Sequence, residues 1–151
     1  MTPDGDDQLR TMFRFFLEIG IIAQLSGNAF ERAMRDGLTL PQFVVLSHLT
    51  RLGGNKTPLD LARAVQVTKG AMTNTLQHLE RKALVAITPD DVDRRSKRVD
   101  ITPAGRAAHN NAVGAIGPEL RHLLDQLDID GITATLPLLE RVRKILDDRR
   151  N

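Results

Sequence analysis

The apolar residues of this chain follow three rhythms, and each predicts a different part of the fold. Up to about residue 25 they are dense. The run LRTMFRFFLEIGIIAQL carries hydrophobic side chains around most of a helix, and polar spacing opens out only after Ser26. We expect one long helix over residues 8–36, with Gly37 as its C′ stop. So much apolar surface on one helix leaves two readings open. It is a central core helix, or a helix shared with a second subunit.

From residue 39 to 83 the rhythm becomes that of short amphipathic helices. Thr39 caps a helix over residues 40–52, with Pro41 in its first turn and Gly53 ending it. Thr57, Pro58 and Asp60 stand as N-cap, N1 and N3 of the next, whose apolar residues are Leu59, Leu61, Ala62 and Val65. After Gln66-Val67-Thr68 a third begins, with Thr68 as N-cap. Met72, Leu76, Leu79 and Ala83 form its single apolar stripe. The opposite face carries Gly70, Asn74, Gln77 and Arg81, flanked by Thr73 and His78, with Lys69 at the N-terminal end.

A period of two follows. Residues 84–88 and 98–102 read as strands, with Val99 and Ile101 on one face and Arg98 and Asp100 on the other. Between them lies a loop of three acids and then three bases: Asp90, Asp91 and Asp93, then Arg94, Arg95 and Lys97, with Arg98 continuing the basic run. Thr102-Pro103 starts a further helix, which Gly114 and Gly117-Pro118 should weaken or kink before ELRHLLDQL resumes. Asp128 or Asp130 opens a last helix that contains Pro137.

Two short helices joined by about three residues form a helix-turn-helix pattern. A strand, a charged loop and a second strand directly after it make a winged helix. The outer face of the second helix holds the groups that read a major groove: amides for adenine, a guanidinium for guanine, a hydroxyl-bearing methyl for thymine. An ordinary solvated helix face remains the competing reading, as does a solvated loop for the charged segment.

Charge distribution sharpens this. The net charge is +2. Residues 1–50 hold 4 bases and 6 acids, residues 51–106 hold 11 and 6, and residues 107–151 hold 6 and 7. The positive field sits in the middle, where a polyanion would bind. The chain has no cysteine, which removes disulfides, thiol nucleophiles and thiolate metal sites. The four histidines, His48, His78, His109 and His122, show no metal-ligand spacing, so we expect neither metal nor cofactor. There is no nucleophile elbow, Walker loop or dinucleotide fingerprint, and we expect no enzyme. No run of about 18 apolar residues exists, and MTPDGDDQLR does not look like a signal peptide. The expectation is a cytoplasmic protein without a membrane segment.

Several motifs in one order resemble the MarR family of bacterial regulators. They are LTLPQFVVLSHL, LARAVQVTKGAMTNTLQHLERKALV, the wing signature Asp93-Arg94-Arg95 followed by SKRVD and Ile101-Thr102, and ITPAGRAA. The resemblance covers nearly the whole chain as a single domain, residues 1–151. It implies a mainly α fold with a small β-wing: a winged helix-turn-helix lobe at 39–102, a linking helix at 103–118, and a helical dimerisation region from 8–36 and 119–149. It further implies a homodimer that binds pseudo-palindromic operator DNA, a ligand-responsive repressor, and a small aromatic or phenolic effector. Gly117-Pro118 departs from the family pattern and puts the straightness of the linking helix in doubt.

On this reading Asn74, Gln77 and Arg81 face base edges, with Thr73 and His78 beside them. Thr68 and Lys69 meet phosphate at the helix N-terminus. Arg95 enters the minor groove, and Arg94, Lys97 and Arg98 complete the basic wing, the last two against the DNA backbone. Asp93 is expected to brace the Arg95 guanidinium. Asp90 and Asp91 have no role beyond turn formation and solubility. The rivals are a winged-helix module that docks protein and never reads DNA, and a single-strand binder. All five phenylalanines lie between residues 13 and 43, so the basic middle has no aromatic platform for stacked bases.

Overall fold

The computed structural model describes residues 3–34 and 37–149. Helix starts fall where the caps put them. The Thr39 hydroxyl accepts from the Gln42 backbone and opens α2 (Leu40–Leu52); Thr57 does the same with Asp60 for α3 (Pro58–Ala64), and both form full capping boxes. Thr68 caps α4 (Lys69–Arg81), Thr102 caps α5 (Pro103–Leu124) and Asp128 caps α6 (Ile129–Asp148). Strands β1 (Val85–Pro89) and β2 (Lys97–Ile101) are antiparallel, in a register that pairs Val85 with Ile101 and Pro89 with Lys97. On the other edge of β2, Lys56 exchanges both backbone hydrogen bonds with Val99, at 2.8 and 3.3 Å. The α2–α3 loop is thereby stitched to the wing.

Several boundaries differ from expectation, the strands by one residue each. Helix α1 spans Pro3–Ala33. It starts earlier than residue 8, because Pro3 suits a first turn and Asp6 and Asp7 suit the positive end of the helix dipole. It ends before Gly37, because Met34 and Leu38 both turn into the core, each 4% exposed. Residues 35 and 36 of the expected helix lie outside the described residues. Helix α4 stops at Arg81, and Ala83, expected in its apolar stripe, is exposed with φ +56°. The Leu84 amide donates to Leu79 O at 3.0 Å and the Ala83 amide to Glu80 O at 2.9 Å. This is a Schellman closure whose C′ residue is alanine rather than the usual glycine. Finally, α5 is helical without a break from Pro103 to Leu124, through Gly114 and Gly117-Pro118, where weakening or a kink was expected.

The core lies in the middle of the chain. Val45, Leu46 and Leu49 of α2, Leu61 of α3, Met72, Leu76 and Leu79 of α4, Val85, Val99, and Ala112 and Ile116 of α5 form one buried cluster. Helix α6 has no buried residue. Phe13, Ile22 and Leu25 of α1 are 69%, 60% and 64% exposed, and Leu120, Leu123, Leu136 and Leu146 are also exposed. No helix among the described residues is long and apolar enough to cross a membrane.

Candidate nucleic-acid interface

Burial of Met72, Leu76 and Leu79 fixes the roll of α4. Gly70, Thr73, Asn74, Gln77 and Arg81 are consequently exposed, while His78 is half-buried. The Thr68 hydroxyl is occupied as the cap, accepting from the Ala71 amide at 3.1 Å. The Thr73 hydroxyl donates to Lys69 O at 2.9 Å, leaving its methyl for contact. Asn74 and Gln77 make no side-chain hydrogen bond among the described residues, so their amides are available to a ligand.

A groove of about 660 Å³ runs between α4 and the wing. Lys69, Thr73 and Gln77 line one wall, and Arg94, Arg95 and Lys97 the other. The structure thus divides the expected face in two. Thr73 and Gln77 look into the wing groove, whereas Asn74 and Arg81 are not part of its lining. Two contributions escaped sequence reading. Glu80 lines the same groove, and so do Thr57, Pro58 and Leu59 at the start of α3. Glu80 was detectable, since it lies eleven residues after Lys69 and so close to the same helical face.

The wing is held by its acids in a way the sequence did not disclose. Among the described residues Asp93 forms no hydrogen bond or ion pair with the Arg95 guanidinium. Its carboxylate accepts from the Arg95 backbone amide at 3.1 Å, and the Ser96 amide donates to Asp93 O at 2.9 Å. These bonds close the turn at the tip and leave Arg94 and Arg95 exposed. Asp90, far from being a mere surface acid, is 8% exposed. Its carboxylate accepts from the Val92 amide at 2.9 Å and from Arg98 Nε at 2.7 Å. The Val92 amide first, then Arg98, hold its carboxyl below the usual carboxylate range. Arg98 also donates to Asn55 O at 3.1 Å, and Asp100 accepts from the Asn55 amide at 2.6 Å. Arg98, expected against the DNA backbone, is therefore engaged in clasping the base of the wing to the α2–α3 loop.

Away from the groove, the His109 ring stacks on Phe43 with centroids 5.4 Å apart and planes 12° from parallel. Its Nε2 lies 3.0 Å from Ser47 Oγ, and its buried Nδ1 has no partner among the described residues. This pair sits on the α2–α5 seam. Nearby on α2, His48 has its pKa pushed down, first by burial and then by the charges of Arg51 and Lys56.

Comparison with known proteins agrees with this architecture. Residues 36–96 match a MarR family model. The chain is 32% identical over 153 aligned positions to the transcriptional activatory protein BadR of Rhodopseudomonas palustris, covering 97% of this chain and 84% of BadR. Among solved structures, it resembles the regulator BldR of Sulfolobus solfataricus at 27% identity and a TM-score of 0.74, with 98% and 99% of the two chains covered. It also resembles Bordetella bronchiseptica BpsR, whose DNA binding is regulated by 6-hydroxynicotinic acid, at 25% identity and a TM-score of 0.73, over 83% of this chain and 89% of BpsR. With a winged helix-turn-helix whose exposed face is basic and amide-rich, and with a relative this similar along almost its whole length, the chain belongs to the MarR family of DNA-binding transcriptional regulators.

Proposed function

We propose that this protein acts as a homodimer on pseudo-palindromic duplex DNA, with α4 in the major groove and the wing tip in the adjacent minor groove. The observation that carries this reading is the groove between α4 and the wing. It joins hydrogen-bonding side chains, Thr73 and Gln77, to cations at both ends, Lys69 on one side and Arg94, Arg95 and Lys97 on the other. Asn74 and Arg81 extend the base-reading face on the far side of the helix, and His78 flanks it. Thr68 and Lys69 present the helix N-terminus to phosphate. Arg98 serves as the anchor that steadies the wing.

Two-fold pairing is supported by the exposed apolar side chains of α1, the end of α5 and α6, more than a monomer ordinarily leaves in water. Residues 8–36 and 119–149 would form that region and residues 103–118 would link it to the reading lobe at 39–102. A small aromatic anion is the effector class we propose, by analogy with BpsR. The Phe43–His109 pair on the α2–α5 seam, with one buried ring nitrogen that has no partner among the described residues, suits such a molecule. We propose a cytoplasmic repressor that blocks transcription by occupying the promoter. Activation is the second reading, favoured by the likeness to BadR.

The test is Arg95→Ala. On a duplex that the wild-type protein selects from a random library, affinity should fall at least about tenfold, or about 1.4 kcal/mol, with the circular dichroism spectrum unchanged. Unchanged affinity at moderate salt would remove Arg95 from the interface. A wild-type protein that selects no duplex would favour the protein-docking alternative.

A further inference from the structure

Helix α4 is held in the lobe mainly by Met72, Leu76 and Leu79, whose apolar packing is non-directional. Among the described residues no side chain of α4 itself forms a hydrogen bond beyond α4 and its caps; those of Thr73, Thr75 and Arg81 are made to carbonyls one turn back. Its C-cap, Lys82, is different. The ammonium donates to Gly37 O at 2.8 Å and to Gln42 Oε1 at 3.0 Å. Gln42 is buried, at 6% exposed, and the same Oε1 also takes the Thr39 amide in the capping box of α2. Gly37, at φ +72°, lies in the segment that carries the chain from α1 into α2. One cation therefore ties the end of the reading helix to the point where the long N-terminal helix enters the lobe. The sequence reading gave Lys82 no role.

We propose that Lys82 is a positioning residue for DNA reading: it touches no DNA, and it sets the angle of α4 against the α1–α2 junction and hence against the α4 of a second copy. The proposal rests on the DNA-binding reading above. Two directional bonds at the far end of a helix restrain its swing, which greasy packing alone does not do. Methionine at this position keeps the stem and loses the donors. Arginine keeps donors and charge.

The experiment uses the full-length protein and the duplex selected by wild type from a random library. Lys82→Met should bind that duplex about tenfold more weakly while binding a scrambled duplex as wild type does. The slope of log affinity against log salt should be unchanged, since no phosphate contact is lost. The preference for the selected half-site spacing over duplexes lengthened or shortened by one base pair should narrow, and Lys82→Arg should restore both. Equal losses on selected and scrambled duplexes with a shallower salt slope would make Lys82 a phosphate contact and overturn the proposal. A lower melting temperature with unchanged affinity and spacing preference would leave it a plain helix cap and overturn it too. If wild type selects no duplex, the DNA-binding reading fails and this inference falls with it.

Discussion

Gly105 stands where the wing meets α5, and replacing it by alanine should do more damage than any other glycine change in that helix. A Cβ there would overlap the Leu84 carbonyl oxygen and lie 2.8 Å from Ile101 Cγ1 and 3.0 Å from Leu84 C. The carbonyl is not free to retreat, since it accepts the Thr102 amide at 3.1 Å. Overpacking of this kind costs about 1–3 kcal/mol. Loss of the Thr102–Leu84 bond adds about 1 kcal/mol. The helix propensity that alanine gains, at most about 1 kcal/mol, offsets part of this at a first-turn position. The net is about 1–4 kcal/mol, or roughly 2–16 °C in melting temperature for a chain of this size. Gly114 is the internal control. It lies in the same helix with nothing within 4 Å of its would-be Cβ, so Gly114→Ala should stabilise by about 1 kcal/mol. Thermal unfolding followed by far-UV circular dichroism, at one protein concentration, reads both. A Gly105→Ala protein that melts at or above wild type would refute the reasoning.

Other outcomes follow from single features. Ala83 holds a left-handed conformation that costs an L-residue roughly 1–2 kcal/mol, so Ala83→Gly should raise stability by about 1 kcal/mol after the added unfolded-state freedom, measured by urea denaturation. The Asp90 carboxyl is depressed in the folded wing. Its contribution is therefore fully present above the unfolded value of 3.8 and lost as pH falls through the lower folded value. The amide resonance of Val92 should track that loss, and Asp90→Asn should abolish the acid step. His48 is depressed as well, and its charged form is the disfavoured one. Stability should decline as pH drops below 6.5 and level off below the folded value, and His48→Gln should flatten that decline in denaturation midpoints taken across pH.

Local chemistry was the legible part of this sequence. Thr39, Thr57, Thr68 and Thr102 act as caps whatever surrounds them, because an N-cap closes its bond within three residues. Alternation put Val99 and Asp100 on opposite faces, and they are buried and exposed respectively. What escaped were features that depend on non-local packing or on a specific register. The end of α1 is set by the core's demand for Met34 and Leu38. The Asp90–Arg98 clasp joins residues eight apart that meet only because the hairpin pairs Pro89 with Lys97. Asp93 bonds the Arg95 backbone amide where a bond to the guanidinium was expected, since an acid two residues before an arginine can reach either. Lys82 could not be read at all, as its acceptors lie forty or more positions upstream.

Helix α5 continues through Gly117-Pro118, so its 22 residues form one unbroken arm from the wing to Leu124. At 1.5 Å per residue its length is about 33 Å. Moving as a rigid rod, it would carry its start at Thr102–Gly105 sideways by about 3.4 Å for a tilt of about 6° at the α6 end, one base-pair rise along a DNA strand. Helix crossings scatter by about 15–20° among ordinary packings. On the proposed duplex, a tilt within that ordinary scatter at one end of the arm would be a full step of misregistration at the other.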